Sequence, residues 1–456
     1  MGIIPRAMSG TDPTGDVTDL LQHLIRNECV NDGTRSSGQE VRNAELLEDY
    51  LADTDLDVER YESSPGRDNL VARIEGSDRK APTLVLMGHT DVVPVNPDGW
   101  TRDPFGGDLV DGVVWGRGAV DMLNMTASMA VAFKRLAADR TWKPRGTLVY
   151  FAVADEEALG TYGARWMLDH EPDAVRADFV ITEMGGMRMP LPSTTGPKLP
   201  VMVGEKGSYW CTIRVHGTPG HGSMPFRTDN ALVKAAEVVR RIAEYRPETD
   251  IHEVWRSFVQ SADLPEEMTR LLLNPAALRA FVESTDDVAM ARMTHACTHT
   301  TFAPTIVHGG VKTNVIPDSV ELQVDIRTLP GQTVDAVRAQ LREALGDLWE
   351  SVEITEQSNE EATASPVETP LWQSLSRATK ALAPEASITP FMIVGATDAR
   401  FFRRHGAVAY GAGLFSERIS FTEFASMFHG NDERIDQESL RLSTEYWDLV
   451  ARDLLA

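Results

Sequence analysis

Apolar residues recur along the chain at two different spacings, and this divides the sequence into regions of different predicted structure. Helical spacing marks 16–30 and 37–53, where apolar residues return every three or four positions. The short runs Thr83–His89, Thr147–Val153 and 179–181 are instead mainly apolar throughout. Such runs are typical of strands in a sheet covered by helices on both faces. They predict an α/β domain with a mostly parallel central sheet flanked by helices.

From about residue 207 the pattern changes to an alternation of apolar and polar residues. The alternation is clearest at 320–327 and is repeated at 210–217, with a helix predicted over 230–245. Alternation of this kind indicates antiparallel strands with one buried face. After about residue 363 the α/β pattern returns. We therefore predict an inserted α+β domain with an antiparallel sheet at 207–328, a larger α/β domain made of 15–206 and 329–456, and a flexible tail at 1–14.

Charge and cysteine content narrow the class of protein. The 456 residues include 68 acidic and 44 basic ones, which gives a formal net charge of −24. This excess argues against binding to nucleic acid or to an anionic membrane, because both attract basic surfaces. Three widely separated cysteines indicate a reducing compartment, and we expect a cytoplasmic protein. No apolar run approaches the about 18 residues that a transmembrane helix needs.

A histidine and two aspartates stand where the chain leaves predicted buried segments. His89 and Asp91 end the first apolar run, in the motif Gly-His-Thr-Asp. Two positions apart in an extended segment they face the same side, which suits a metal ligand and a carboxylate that orients it. Asp121 follows a glycine-rich segment and begins a predicted helix. Taken alone, the first motif also fits a surface turn, and Asp121 also fits an ordinary helix N-cap.

Further carboxylates follow the other two runs. The triplet 155–157 (Asp-Glu-Glu) comes after the second run, Glu183 comes after the third, and His429 lies near the C-terminus. Adjacent carboxylates repel one another unless a cation or solvent relieves them, and a solvated loop is the alternative for each motif. Two histidines with several carboxylates at strand ends together predict a pair of zinc-like ions with a bridging carboxylate and an open position for water.

These motifs, in this order, resemble the M20 family of co-catalytic zinc metallopeptidases, which includes aminoacylase-1, acetylornithine deacetylase, succinyl-diaminopimelate desuccinylase, carboxypeptidase G2 and the carboxypeptidase S type. The resemblance implies a zinc-exopeptidase-like catalytic domain that holds two Zn²⁺ ions, with Co²⁺ or Mn²⁺ as alternatives. It also implies that Glu156 is the general base and that Asp91 orients a ligand. The implied ligands are His89, Asp121 and Glu183 for one ion, and Asp121, Glu157 and His429 for the other.

The inserted domain carries motifs that resemble the lid of the same family. The segment 217–225 resembles the lid-histidine motif, which implies that His221 reaches the active site of the partner subunit in a homodimer formed through the lid. Asn314 lies in an NxIP motif and Arg327 in a DxR motif, and the resemblance implies that they position the substrate, with Arg327 binding its carboxylate. Gly395 and Thr397 belong to a loop that resembles the family's GxTDAR substrate loop. The alternative for the segment with His221 is a surface turn, for Arg327 an exposed salt bridge, and for the loop with Gly395 and Thr397 a helix N-cap.

The resemblance implies a hydrolase that cleaves an amide bond of an N-acyl amino acid or small peptide with a free carboxylate. One departure is the run Asp-Met-Leu-Asn at 121–124, where family members often have DMKG or DDKG. An M28-type aminopeptidase shares a similar metal set but lacks the lid motifs. A catalytically silent relative that serves as a binding or scaffold protein is the other alternative, and loss of Glu156 or a ligand would indicate it. The substrate is a small molecule, and neither nucleic acid nor membrane is expected as a partner.

Overall fold

The computed structural model describes residues 12–54 and 56–456, so the predicted tail at 1–14 lies largely outside the described residues. The helices are α1 (Thr14–Arg26), α2 (Val41–Leu51), α3 (Leu123–Ala138), α4 (Ala164–His170), α5 (Ala231–Glu244), α6 (Glu253–Ser261), α7 (Glu266–Leu272), α8 (Pro275–Ser284), α9 (Val288–Thr298), α10 (Val334–Leu345), α11 (Pro370–Leu382), α12 (Ala399–Arg404), α13 (Phe421–Met427) and α14 (Gln437–Leu454). Of the helices in the described part of the chain, none is long and apolar enough to span a membrane.

The strands are β1 (Val58–Ser64), β2 (Arg67–Ile74), β3 (Thr83–His89), β4 (Asp108–Val110), β5 (Val113–Trp115), β6 (Thr147–Val153), β7 (Phe179–Thr182), β8 (Lys198–Glu205), β9 (Gly207–His216), β10 (Gly220–His221), β11 (Thr301–Gly309), β12 (Val315–Ile316), β13 (Ser319–Thr328), β14 (Val352–Glu360), β15 (Thr363–Ala364), β16 (Ser387–Ile393), β17 (Val408–Gly411) and β18 (Arg434–Asp436).

Nine strands form the central sheet, in the order β1-β2-β6-β3-β7-β17-β8-β15 with β16 beside β8. The strands from β6 to β17 pair in parallel, as do β8 and β16, whereas β1, β2 and β15 pair antiparallel. Successive residues of β3 enter different cores: Leu84 and Leu86 pack with α3 and α14, and Val85 and Met87 pack with α4 and α12. This explains why the run is apolar throughout, and it confirms the predicted α/β class.

The second sheet is antiparallel, in the order β11-β13-β9-β14. Strand β13 alternates between half-buried and buried residues along its whole length, and α5 and α10 cover its buried face. The predicted antiparallel sheet is therefore confirmed. We call β9–β14 with α5 and α10 the antiparallel unit.

The limits of the antiparallel unit differ from the predicted 207–328 in two places. The sheet takes in β14, which pairs with β9 and ends at Glu360. Its residues are half-buried or exposed, so its alternation is too weakly apolar to be seen in the sequence. The helices α6–α9 fall within the predicted range but are not part of the unit. Trp255 and Phe258 pack in the core of the central sheet, and the Phe258 ring lies 4.9 Å from that of Phe391 on β16.

The sheet order brings the predicted chemistry to one edge. Strands β6, β3 and β7 are neighbours and parallel, so their carboxyl ends point the same way. Strand β3 ends at His89, β6 ends just before Asp155, and β7 ends just before Glu183. Sites of open α/β sheets lie at this edge.

Candidate metal centre

Four carboxylates and two histidines meet at this edge of the central sheet. His89 Nε2 lies 3.3 Å from Asp121 Oδ1 and 3.9 Å from Glu183 Oε2. His429 Nε2 lies 3.4 Å from Asp121 Oδ2 and 3.1 Å from Glu157 Oε2. The two oxygens of Asp121 thus face different histidines.

The loop that carries Asp121 is held by a residue that the sequence did not single out. The Glu433 carboxylate accepts hydrogen bonds from the N–H groups of Val120 (2.6 Å) and Asp121 (2.9 Å), and it pairs with Arg117 at 2.8 Å. Burial raises the pKa of Glu433 to about 7. Because Glu433 lies four residues after His429, it joins the loop of Asp121 to the loop of His429. In the sequence, only the closeness of Glu433 to His429 indicates a role at the site.

Asp91 contacts both His89 and the turn that follows β6. His89 Nδ1 lies 2.9 Å from the Asp91 main-chain oxygen and 3.6 Å from its carboxylate. The carboxylate itself accepts hydrogen bonds from the N–H groups of Glu156 (3.2 Å) and Glu157 (3.1 Å). The main-chain oxygen therefore holds the imidazole, and the carboxylate holds the turn.

Glu156 lies beside the centre without an ion pair to either histidine among the contacts of the described residues. It begins the short turn 156–158, which is flanked by Asp155 (φ 67°) and Leu159 (φ 76°) in the left-handed region. Because of this turn, the side chains of Glu156 and Glu157 point in different directions. Oxygens of Glu156 and Glu183 and a nitrogen of His89 lie within 4.8 Å of one another.

Electrostatics in the cluster follow from burying like charges. Burial raises the pKa of Glu156 and of Glu183 well above that of a free glutamate, and neighbouring carboxylates add to it. Burial also opposes ionisation of Asp121, but hydrogen bonds from His429 and His89 outweigh it and lower its pKa. The same contact with Asp121 raises the pKa of His429 to about 10. Such a cluster is stabilised by cations.

The donor set fits divalent metal ions. Imidazole nitrogens with carboxylate oxygens are the ligands that zinc prefers, and the same set accepts cobalt or manganese. Ligand atoms of His89, Asp121 and Glu157 lie within 4.8 Å of one another. Glu157 Oε1 is buried and lacks a hydrogen-bond partner in the described structure, so it has a lone pair to offer an ion.

The predicted lid residues lie apart from this cluster, in the antiparallel unit. His221 and Asn314 are exposed and lie close together. Strand β10 pairs with β12, and the Gly222 N–H donates to the main-chain oxygen of Asn314 at 2.8 Å. His221 Nδ1 lies 2.8 Å from the Ser223 hydroxyl. Arg327 lies on β13, where Nε and Nη2 pair with both oxygens of Asp325.

The predicted substrate loop is attached to the place where the chain enters and leaves the antiparallel unit. Thr397 is buried, and its N–H and hydroxyl both donate to the Glu205 carboxylate at the end of β8. Glu205 also accepts a hydrogen bond from Thr363 at 3.0 Å and pairs with Arg403 at 2.8 Å. Gly395, in contrast, has open space around the position of a Cβ atom, the nearest atom being 3.8 Å away on Ile393.

An α/β sheet whose edge carries a carboxylate between two histidines defines a metal-dependent amidohydrolase. Residues 85–453 match the model of peptidase family M20/M25/M40, and the chain belongs to this family. The predicted resemblance is confirmed. The match also removes the M28-type aminopeptidase from consideration.

Two relatives show what the chain is similar to in sequence. The N-fatty-acyl-amino acid synthase/hydrolase of Xenopus tropicalis is 30% identical over 390 residues, which are 82% of this chain and 73% of that protein. Aminoacylase-1 of Sus scrofa is 28% identical over 399 residues, which are 86% of this chain and 84% of that protein.

Solved structures show the same fold at lower identity. An M20 family metallo-carboxypeptidase from Sulfolobus solfataricus superimposes with a TM-score of 0.71 at 17% identity, over 96% of this chain and 99% of that one. A dinuclear metal-binding M20 peptidase from Bacillus subtilis gives a TM-score of 0.61 at 15% identity, over 97% and 99%.

Proposed function

We propose that the protein is a two-zinc hydrolase that cleaves the amide bond of an N-acyl amino acid or small peptide with a free carboxylate. The observation that carries this proposal is the position of Asp121 between His89 and His429, with Glu156 beside them. The six residues needed for two ions and a base are all present, which argues against a silent scaffold. Cobalt or manganese is expected to replace zinc in the same donor set.

The chain supplies the base and the surroundings for the reaction. Two bound ions would polarise the amide carbonyl and lower the pKa of the attacking water. Glu156 takes the proton from the water and passes it to the leaving nitrogen. Burial raises the pKa of Glu156, which makes it a stronger proton acceptor than a free glutamate.

Substrate binding is assigned to the antiparallel unit and the 395–400 loop. Arg327 is held in one orientation by Asp325 and by the Trp210 ring, 5.7 Å from the guanidinium carbon. A guanidinium fixed in this way binds a carboxylate with little further loss of side-chain freedom. Asn314 is proposed to position the leaving amino acid, and the open space at Gly395 to receive part of the substrate. Thr397 supports this loop through Glu205.

The names of the relatives favour N-acyl amino acids within this class. Aminoacylase and N-fatty-acyl-amino acid synthase/hydrolase both indicate an acylated amino acid. A dipeptidase from Saccharomyces cerevisiae with a TM-score of 0.67 keeps small peptides in the test panel.

A homodimer formed through the antiparallel unit is part of the proposal, with His221 completing the partner's site. Strand β11 is an edge strand, and its residues Ile306 and Val307 are exposed. Phe226 and Val311, which lie within five residues of His221 and Asn314 in sequence, are 82% and 94% exposed. Exposed apolar residues in such number mark an interaction surface. A cytoplasmic location is also proposed, because the three cysteines are buried and unpaired.

A substrate panel tests the proposal. The zinc-loaded chain is assayed on N-acetyl, N-succinyl and N-fatty-acyl amino acids, on dipeptides, and on the matching amino acid amides that lack the carboxylate. We expect hydrolysis of at least one carboxylate substrate, loss of activity with a chelator, and recovery with zinc or cobalt. Glu156→Gln is the matched variant: it should keep both ions and lose about 1,000-fold in kcat. Equal hydrolysis of amides and carboxylates would contradict the assigned role of Arg327, and full activity of Glu156→Gln would contradict the assigned base.

A further inference from the structure

The buried side-chain amide of Asn31 lies behind the candidate metal centre. It follows α1, and its side chain is only 2% exposed. Its main-chain N–H donates to the Val92 oxygen at 2.8 Å, which fixes it beside the segment that carries His89 and Asp91. None of the sequence motifs includes it.

The nitrogen of the Asn31 amide binds hydrogen-bond acceptors, and its oxygen binds donors. Nδ2 donates to Asp91 Oδ2 at 2.8 Å and to Asp155 Oδ1 at 3.1 Å. Oδ1 accepts from Arg67 Nη2 at 3.3 Å and from the Gly33 N–H at 3.1 Å. A neutral amide offers a donor to the carboxylates and an acceptor to the guanidinium in one planar group. Oδ1 also accepts from the Ser37 hydroxyl at 3.2 Å. An aspartate here would face two other carboxylates, and a leucine would leave all five partners without their bond to the amide.

Arg67 supplies the positive charge of this network. It is 1% exposed, and its Nη1 lies 2.6 Å from Glu40 Oε1 and 3.2 Å from Asp155 Oδ1. Asn31 links the same cation to Asp91. Buried charges are tolerated when they are paired and hydrogen-bonded. Through Asn31, the buried Asp91 carboxylate is connected to the positive charge of Arg67.

Asp91 connects Asn31 to the turn that carries Glu156 and Glu157. Its Oδ2 is shared by Asn31 and the Glu157 N–H (3.1 Å), and its Oδ1 accepts from the Glu156 N–H (3.2 Å). The rotation of this carboxylate therefore decides where the turn with Glu156 and Glu157 lies relative to His89. We propose that Asn31 is a positioning residue that fixes the Asp91 carboxylate and so sets the ligands and the base relative to one another.

The inference rests on the metal centre of the proposed function, but not on the identity of the substrate. Its test uses the full chain and measures the zinc dissociation constant by competition with a chromophoric chelator, in the absence of substrate. The variants are Asn31→Leu and a matched control, Asn43→Leu. Asn43 is equally buried, and its amide bonds to the Thr90 main-chain oxygen and to Asn27. Melting temperatures show the cost of each leucine to the fold.

For Asn31→Leu we expect zinc binding about 10–100-fold weaker and, at saturating zinc, kcat about 10–100-fold lower, with KM within about twofold. Asn43→Leu should keep both zinc affinity and kcat within about threefold of wild type. Equal losses in the two variants would mean that Asn31 is merely structural, and unchanged values for Asn31→Leu would equally overturn the inference. If the wild-type chain binds no zinc, the proposed function itself fails.

A second variant decides the matter if Asn31→Leu does not fold. Asn31→Asp keeps the shape of the side chain and its acceptor for Arg67, but it replaces the donor to Asp91 with a carboxylate. The same losses of zinc affinity and kcat are expected. Wild-type values for both would overturn the inference.

Discussion

The α/β part and the antiparallel unit hold their predicted functional residues in opposite ways. His89 and Glu183 are 1% and 6% exposed and lie among the other side chains of the candidate metal centre. His221 ends the two-residue strand β10 and Asn314 directly precedes its two-residue partner β12; both residues are exposed, and in the described part of the chain these two strands form a sheet of their own. The comparison separates two tasks. In the proposed function, metal binding is the task of the folded α/β part, whereas completing the site around a substrate is the task of an exposed surface that would meet a partner subunit.

The largest expected effect removes the residue shared by both ions. Asp121→Ala should lower kcat/KM by at least about 1,000-fold and leave less than one zinc per chain, because Asp121 faces both histidines. Metal content by mass spectrometry and hydrolysis rates check this. Asp169→Ala on the surface of α4 is the control and should match wild type. Two zinc ions retained by Asp121→Ala would break the first half of the comparison.

The second prediction tests whether the antiparallel unit works across a dimer. His221→Ala should lose about 100-fold in kcat, as expected for a donor to the oxyanion, while zinc affinity stays unchanged. Mixing and refolding His221→Ala with Glu156→Gln should restore about a quarter of wild-type activity, because half of the dimers are mixed and each has one intact site. No recovery on mixing would show that His221 acts within its own chain.

A smaller effect is expected at the substrate carboxylate. Arg327→Ala should raise KM about 10–100-fold for a carboxylate substrate and leave the amide analogue little affected, because a charge-assisted hydrogen-bond pair is lost. Arg214→Ala is the matched control: its exposed pair with Glu321 (2.6 Å) lies on the same sheet. A similar rise in KM for both substrates would point to a disturbed sheet rather than a lost contact.

The smallest effect concerns Lys206, between the two parts. Its Nζ donates to the main-chain oxygens of Ala296 and His299, and burial lowers its pKa to about 7 from 10.5. In that pH range the unfolded chain binds more protons than the folded one, so the free energy of unfolding rises with pH from about 7 to 10. The melting temperature of wild type relative to Lys206→Met should rise by about 2 °C across this window. A difference independent of pH would contradict the buried-amine assignment.

Local sequence patterns were enough to predict most of the fold and the residues that the structure brings together at the sheet edge; that these residues bind metal stays a prediction. Three runs that are apolar on both faces predicted the parallel strands, and His89 and Glu183 stand directly at their ends. The same reasoning failed for β14, whose exposed edge position leaves little apolar signal, and for α6, which packs on the central sheet through contacts with distant residues.

The supporting residues were out of reach for a different reason. Asn31, Arg67 and Glu433 act mainly through hydrogen bonds and ion pairs to residues far away in sequence, and one amide or one charged residue has no spacing to recognise. Their partners become apparent only when the strand ends are brought together. Whether the motif residues of the antiparallel unit bind substrate stays a prediction.

The position of β17 in the central sheet has a consequence for biosynthesis. This strand (Val408–Gly411) lies between β7 and β8, so the sheet stays open at its middle until the ribosome has added Gly411. His429 follows later still. A nascent or C-terminally truncated chain therefore holds His89, Asp121 and Glu183 without the second histidine. The protein becomes a complete metal-binding enzyme only when nearly the whole chain has been made.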